Sequence, residues 1–236
     1  MTIAAIEVSG AQQGSGARSY VYAFLARAFS FPSREFAADV SSGQWREELD
    51  TVAQHLPFAF DPGQEASGAL AVGFQELQQE YIRLFDVGLG RPFCPLYEGS
   101  HRHGRMKIME ELVRFYEHFG LRPEAGDQPD HLCAELEFMH FLAFKQAALL
   151  GRGRQENDLA LAQREFLYRH LSRWLPRLRA RLEGAADALT LYPALARLAE
   201  AFCTADERYL KGRQGIPDQK IQPLPDRPPP DASSIK

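Results

Sequence analysis

The stretch Leu132-Cys-Ala-Glu-Leu-Glu-Phe-Met-His-Phe-Leu-Ala-Phe144 decides the fold of this 236-residue chain. Its apolar side chains point in nearly every direction around a helix, a pattern typical of a helix surrounded by other helices. Pro129 opens this helix, and Asp130 places a carboxylate in the first turn, where free backbone N–H groups and the helix dipole favour negative charge. The segment is therefore predicted to be the central helix of a bundle.

Apolar residues also recur every three or four positions in the flanking segments, for example at Ile108, Leu112 and Phe115. Gly120 follows this run at the position where a glycine commonly ends a helix. No alternating, β-branched segment is bounded by hairpin turns, so a sheet has almost no support. The predicted fold is all-α, a single helical bundle.

Prolines mark divisions in the C-terminal half of the chain. Pro176 is predicted to kink or divide the helical segment from about 157 to 183. Pro193 fits the first turn of a last helix that reaches about Leu210. Further prolines crowd the region from 212 onwards, where they remove backbone donors and block helix formation.

Both ends of the chain are predicted to lie outside the bundle. The stretch from 9 to 16 is rich in Gly, Ser and Gln and buries too little apolar area to offset the entropy lost on ordering. Ser19 then offers an N-cap for the apolar run that follows it. The expected organisation is a flexible N-terminus at 1–16, an all-helical domain at 17–211 and a disordered tail at 212–236.

Composition excludes several functional classes. Hydrophobic residues make up 45% of the chain, the net charge is −4 and the pI is about 6.0, whereas broad binding to nucleic acid or anionic membranes needs an excess of Lys and Arg. Neither a secretory signal nor a run long enough to span a bilayer is visible. We therefore expect a cytoplasmic protein with no nucleic-acid partner and no stable membrane insertion.

Ionisable residues interrupt the apolar central helix. His131 lies one turn before Glu135, whereas Glu137 and His140 share a different face at 100° per residue. Buried carboxylates are costly unless they are paired or reach water. These groups therefore either satisfy one another inside the bundle or form the polar rim of a groove. Such a groove suits a basic, apolar peptide, whose apolar face drives binding while its cations select the register.

The same helix carries a family signature. Pro-Asp-His-Leu at 129–132, followed by Glu-Leu-Glu-Phe-Met at 135–139, resembles the TorD/DmsD/NarJ-type chaperones, which are cytoplasmic maturation factors of molybdenum-cofactor oxidoreductases. Tyr-x-x-Leu-Phe at 81–85 and Pro-Leu-Tyr-Glu-Gly at 95–99 also look like that family. The longer strings that begin at 83, 94 and 109 most resemble the branch serving type II enzymes of the dimethyl-sulfoxide-reductase family. Clients of that branch are ethylbenzene, dimethylsulfide, selenate and chlorate enzymes.

The resemblance implies a non-catalytic chaperone that has no cofactor and is a monomer or a domain-swapped dimer. Its partner would be a catalytic molybdenum subunit, bound often at a twin-arginine leader until the cofactor is inserted. Asp130 would attract leader arginines, while His131 and Glu135 would fix its geometry. Tyr97 and Phe138 are candidates for apolar contact. The full predicted peptide-binding set is Pro129, Asp130, His131, Glu135, Phe138, Tyr97, Glu98 and Tyr81.

Two hypotheses from other functional classes stay open. Glu137-x-x-His140 has the ligand spacing of ferritin-like di-iron bundles, so the rival hypothesis is a metal-dependent oxidase, which would also need a second helical Glu-x-x-His and two further glutamates. The other such match, Glu98-x-x-His101, lies in a Gly/Pro-rich loop. A generic helical interaction scaffold would bind partners through a static patch without leader selectivity.

The loop around residue 100 offers two weaker possibilities. Cys94 and His101 are near in sequence, yet nothing specifies activation of the thiol or an oxyanion hole. The basic run at 101–107 either contacts the phosphate of a pterin or nucleotide or is a solvated loop. No phosphate-binding glycine motif supports the first of these two interpretations.

Overall fold

The computed structural model describes residues 10–66, 73–86, 92–122, 128–185 and 190–213. Across these ranges it contains helices and no β-strand, apart from an isolated antiparallel bridge between Tyr97 and His131. The all-α prediction is therefore confirmed. The helices are α1 (Gly10–Ala28), α2 (Arg34–Ser42), α3 (Gln44–Ala53), α4 (Pro62–Glu65), α5 (Phe74–Phe85), α6 (Glu98–His101), α7 (Arg105–His118), α8 (Leu132–Leu150), α9 (Asn157–Arg169), α10 (Leu171–Glu183) and α11 (Leu191–Gly212).

The central helix of the bundle is α8, because almost every face of it is apolar. It packs along α1 and also contacts α9, and the side chains of Leu136, Met139 and Leu142 are wholly buried. Burying one such side chain contributes about 1.5–3 kcal/mol relative to leaving it exposed. No helix in the described ranges, α8 included, is long enough and apolar enough to cross a membrane.

The first helix begins earlier than the sequence predicts. It starts at Gly10, so the expected start of ordered structure at residue 17 is wrong, and Ser19 lies inside α1 instead of capping it. Residues with little or no side chain explain the difference, because they let α1 approach its neighbours, and Gly14 is buried. Ser19 Oγ lies 2.8 Å from Nδ1 of His140 and so links α1 to α8. The remainder of the predicted flexible N-terminus lies outside the described residues.

The long C-terminal helical segment divides at His170 and not at Pro176. His170 stands between α9 and α10 at φ −117° and ψ −94°, whereas Pro176 lies inside α10. The His170 ring is buried, and its Nδ1 lies 2.8 Å from Oε2 of Glu98. The predicted division at Pro176 is therefore wrong: the segment divides at His170, whose side chain contacts Glu98 from a distant part of the chain.

Two helix termini agree with the sequence analysis. Gly120 follows α7 with φ +78°, a backbone conformation that glycine adopts without strain, and its N–H donates to the carbonyl of Glu117. Pro193 lies in the first turn of α11, which ends at Gly212. The region from 214 to 236, which is most of the predicted disordered tail, lies outside the described residues.

One buried arginine connects four helices. Arg18 of α1 is fully buried and donates to both carboxylate oxygens of Asp206 in α11, at 2.5 and 2.8 Å. It also donates to Gln146 of α8 at 3.0 Å and to Gln163 of α9 at 2.6 Å. Tyr22 adds a 2.6 Å bond to Asp206. A buried guanidinium needs this many acceptors, because each unsatisfied donor would keep its desolvation cost.

We expect Asp206→Ala to lower the free energy of unfolding by about 3–5 kcal/mol, because it leaves Arg18 charged and buried without its main partner. Urea unfolding followed by circular dichroism measures this loss. Asp39→Ala is the matched control, since it breaks the partly exposed 3.0 Å ion pair with Arg27 and should cost no more than about 1 kcal/mol. Equal losses in the two variants would contradict a structural role for the buried pair.

Candidate functional site

Two backbone hydrogen bonds bring the sequence motifs together. The N–H of Glu98 donates to the carbonyl of Asp130, and the N–H of Leu132 donates to the carbonyl of Leu96, both at 2.8 Å. Tyr97 and His131 face each other across this antiparallel bridge, with their rings 5.1 Å apart. The motif at 95–99 is therefore fixed against the start of α8.

A cleft of about 560 Å³ lies beside the bridge. Its lining is mixed and includes the aromatic rings of Tyr116 and Phe141, while Glu137 is exposed at its edge. Tyr116 Oη donates to the carbonyl of Pro129 at 2.9 Å, which holds the wall in place. The members of the predicted binding set that line the cleft are Pro129, His131, Phe138 and Tyr97.

Asp130 lies beneath the surface and is not part of a helix cap. Its side chain is fully buried, and α8 is capped by His131 instead. The carboxylate accepts hydrogen bonds from the N–H of Gly99 at 3.2 Å and from Arg105, whose Nε is 3.1 Å from Oδ2. The expected cap at Asp130 is therefore wrong, and its carboxylate is already engaged by groups of its own chain.

His131 connects the helix start to the cleft. Its Nδ1 accepts the N–H of Cys133 at 3.2 Å, which satisfies one of the free donors in the first turn of α8. Burial lowers the pKa of His131, although the nearby charge of Asp130 acts in the opposite direction. The ring is therefore neutral at pH 7 and offers the cleft a polar edge without a charge.

Glu135 points away from the cleft and into the core. It is fully buried, and its Oε2 accepts the indole N–H of Trp174 at 3.1 Å. Its Oε1 has no hydrogen-bond partner among the described residues. Burial, reinforced by the charge of Glu98, raises the pKa of Glu135 well above its ordinary value of 4.5. The Glu135 carboxylate is therefore bonded to Trp174, while its backbone N–H donates to the carbonyl of His131 at 3.1 Å.

Glu98 is the centre of a second buried polar group. Its carboxylate pairs with Arg102 on one oxygen and with His170 on the other. Arg102 also donates to the carbonyl of Arg169 at 2.8 Å. Glu98 therefore connects the motif at 95–99 to the break between α9 and α10, and it does not line the cleft.

Tyr81 lies apart from the cleft. Its hydroxyl donates to the carbonyl of Phe29 at 3.2 Å, and its ring packs edge-on against Phe85 at 5.0 Å and Phe31 at 5.4 Å. The residue supports the packing of α5 on the end of α1 and does not line this cleft, so its role as a direct peptide contact stays a prediction.

A known protein family matches the part of the chain that forms the cleft. The family model described as "Nitrate reductase delta subunit" matches residues 42–180, more than half of the chain and the part that holds the cleft. The chain belongs to this family. The predicted resemblance to the TorD/NarJ-type chaperones is confirmed with it.

Curated relatives identify the kind of protein. The chain is 36% identical over 197 residues to the perchlorate reductase assembly chaperone protein of Dechloromonas aromatica, covering 80% of this chain and 88% of that protein. It is 42% identical to the chlorate reductase assembly chaperone protein of Ideonella dechloratans, over 55% of this chain and 70% of that protein. It is 33% identical to the dimethyl sulfide dehydrogenase assembly chaperone protein of Rhodovulum sulfidophilum, over 69% and 68%. The protein is thus a system-specific maturation chaperone and not an enzyme.

The geometry of this chaperone does not favour the alternative enzyme sites. Burial raises the pKa of Cys94 to about 12, and Nε2 of His101 lies 2.7 Å from the carbonyl of Pro95 instead of facing the thiol. Glu137 lies at the cleft, whereas His140 bonds to Ser19 of α1. Within the described ranges, no group of three or more His, Cys, Asp or Glu residues is placed to hold a metal ion.

The basic run at 101–107 is largely occupied by internal contacts. Arg102 pairs with Glu98, Arg105 pairs with Asp130, and His101 stacks on the indole of Trp174 at 5.3 Å. The Arg102–Glu98 pair is a local contact across one helical turn. The sequence did not indicate the other two contacts, because Asp130 and Trp174 lie on distant parts of the chain. The placement of Arg105 over Asp130 is the feature of the site that sequence analysis missed most clearly.

We expect Glu135→Gln to raise the melting temperature of the chaperone by a few degrees at pH 8 and by less at pH 5. The raised pKa of Glu135 means that the folded state binds this proton more tightly than the unfolded chain. Its contribution to stability is full below about pH 4.5 and is lost as the pH rises towards the folded pKa. Glutamine keeps the acceptor for Trp174 and removes that pH dependence.

Thermal melts at the two pH values measure the effect. Glu117→Gln is the control, because Glu117 is exposed on α7 and its replacement should leave the pH dependence of the melting temperature unchanged. A Glu135→Gln variant that melts lower than the natural protein at pH 8 would contradict the assignment of a costly buried charge.

Proposed function

We propose that this chaperone binds the catalytic subunit of a molybdenum-containing oxidoreductase in the cytoplasm, and that it grips a basic, apolar segment such as a twin-arginine leader in the cleft. Binding would hold the subunit until its cofactor is inserted and export can begin. The observation that carries the proposal is the aromatic cleft beside the family motif, with an exposed carboxylate at its edge. Binding is reversible, because an assembled client has to be released.

The chemistry of the cleft favours a peptide with an apolar face. Tyr97, Tyr116 and Phe141 offer flat apolar surface, and aromatic side chains of this kind commonly dominate the energetics of binding. The backbone around Pro129 is fixed by the bridge and by Tyr116. A rigid, preformed wall lowers the entropy cost of gripping a flexible segment.

The charges at the edge of the cleft favour one orientation of a bound peptide. Glu137 is exposed and attracts a cation, whereas the exposed Arg122 lines the same cleft and repels one. A peptide with one basic end is therefore favoured in the orientation that brings this end to Glu137. The neutral His131 lies between the aromatic lining and the start of α8, where it hydrogen-bonds without adding charge.

The class of client enzyme is inferred from the names of the relatives. Their names assign them to chlorate reductase, perchlorate reductase and dimethyl sulfide dehydrogenase, and the resemblance of the motifs at 83, 94 and 109 is to the branch that serves such enzymes. We therefore propose a client from the type II enzymes of the dimethyl-sulfoxide-reductase family. The identity of the genes beside this one would narrow the choice further.

We expect calorimetry to detect binding of a synthetic peptide that carries two adjacent arginines followed by an uncharged apolar run. Glu137→Gln should weaken the affinity by about 0.2–1 kcal/mol, the range for an exposed ion pair, and should reduce its dependence on salt. Glu110→Gln is the matched control, because Glu110 is an exposed carboxylate on α7 that does not line the cleft.

The proposal fails if the chaperone binds neither this peptide nor the unassembled catalytic subunit. A loss of affinity that is the same for Glu137→Gln and Glu110→Gln would show that only the overall negative charge matters. In that case the cleft would not be the site that recognises the basic end.

A further inference from the structure

Arg105 sits in a cage with the chemistry of a guanidinium receptor. Its Nε lies 3.1 Å from Oδ2 of Asp130, and its Nη2 lies 3.3 Å from Oδ1 of Asp130 and 2.9 Å from Oε1 of Gln128. Its Cζ lies 5.8 Å from the ring centroid of Tyr97. A carboxylate, an amide oxygen and an aromatic face together match the charge, the planar donors and the stacking surface of an arginine side chain.

The backbone at Gly99 leaves room for the aliphatic part of the Arg105 side chain. A Cβ on Gly99 would lie 2.3 Å from Cγ of Arg105, so the aliphatic part of the side chain runs directly over the glycine backbone. The N–H of Gly99 also donates to Oδ2 of Asp130 at 3.2 Å. The carboxylate therefore keeps one hydrogen bond, and its orientation, when Arg105 is elsewhere.

Arg105 is the accessible partner of this contact, since its side chain is 51% exposed while that of Asp130 is fully buried. It is also the first residue of α7, where the helix dipole disfavours a positive charge. Asp130 offsets that cost only while the two remain in contact. Solvent reaches the arginine from outside, whereas the carboxylate has no contact with solvent while Arg105 covers it.

The cage and the cleft share part of their lining. Tyr97 and Gln128 line both the cleft and the cage, and Pro129, the neighbour of Asp130, lines the cleft as well. A peptide seated in the cleft would thus contact two of the residues that hold the guanidinium, Tyr97 and Gln128. A peptide arginine placed there would make the same contacts that Arg105 makes now.

We infer that Asp130, Gln128 and Tyr97 form a guanidinium-binding subsite of the cleft, which Arg105 fills in cis until an arginine side chain of a bound peptide replaces it. The inference rests on the proposed function only in taking a peptide as the occupant of the cleft. The exchange keeps the buried Asp130 paired at every stage, and an unpaired buried charge would be strongly destabilising. Arg105 accordingly weakens the binding of any peptide arginine by competing with it.

The test uses the Arg105→Ala variant, which empties the cage, and N-acetyl-arginine amide as the probe. We expect calorimetry to show that this variant binds the probe roughly tenfold more tightly than it binds N-acetyl-citrulline amide, the neutral analogue, as one charge-assisted hydrogen bond would give. The natural protein, and the double variant with Asp130→Asn, should not distinguish the two probes. Equal binding of both probes by Arg105→Ala would overturn the inference.

The two-arginine peptide separates this inference from the proposed function. Tighter binding of that peptide by Arg105→Ala than by the natural protein supports the exchange, whereas equal or weaker binding shows that Arg105 is only a brace and leaves the proposed function intact. If Arg105→Ala distinguishes the two probes but no form of the chaperone binds the peptide, the subsite stands and the proposed function fails.

A measurement on the natural protein keeps the inference testable should Arg105→Ala not fold. The Nε–H signal of Arg105, assigned in nuclear magnetic resonance spectra by its loss in Arg105→Lys, should broaden by exchange with water when the two-arginine peptide is added. A signal that stays sharp and unshifted at saturating peptide would show that Arg105 never leaves Asp130, and it would overturn the exchange.

Discussion

The site depends on the register of one short antiparallel bridge. Paired extended segments turn successive side chains to opposite sides, so Leu96 and Glu98 point inward while Tyr97, between them, faces the cleft. On the facing segment, Asp130 points inward and His131 faces the cleft. A slip of one residue would exchange these sides, and it would place carboxylates where the cleft now has aromatic rings.

The chain tolerates several buried carboxylates near this bridge because each has partners of its own. Glu98 contacts Arg102 and His170, Asp130 accepts from Gly99 and Arg105, and one oxygen of Glu135 accepts from Trp174. Buried ion pairs add little net stability, because desolvation offsets much of their attraction. Their effect here is geometric, since they tie the loop, α7, α8 and α10 into one wall behind the cleft.

The sequence predicts the central helix and the position of the cleft better than it predicts the role of each residue. The apolar pattern of α8 leaves almost no alternative to a surrounded helix, and the family motifs lead directly to Pro129 and His131. The assignment of Asp130 as the group that attracts a peptide cation overlooked Arg105, because its position over the carboxylate is set by how α7 packs. Similarly, the small residues at the start of α1 predicted a flexible segment, although their small size is what lets the helix pack closely against its neighbours.

The burial of Arg18 constrains when this chaperone can fold. Its carboxylate partner in α11 is 188 residues away along the chain, so during translation α1 leaves the ribosome long before that partner has been made. Contacts across such a span form late, because closing the intervening chain costs entropy that only a nearly complete core offsets. The bundle can therefore close only after α11 has been synthesised, and a cell gains from translating this chaperone ahead of the polypeptide that it serves.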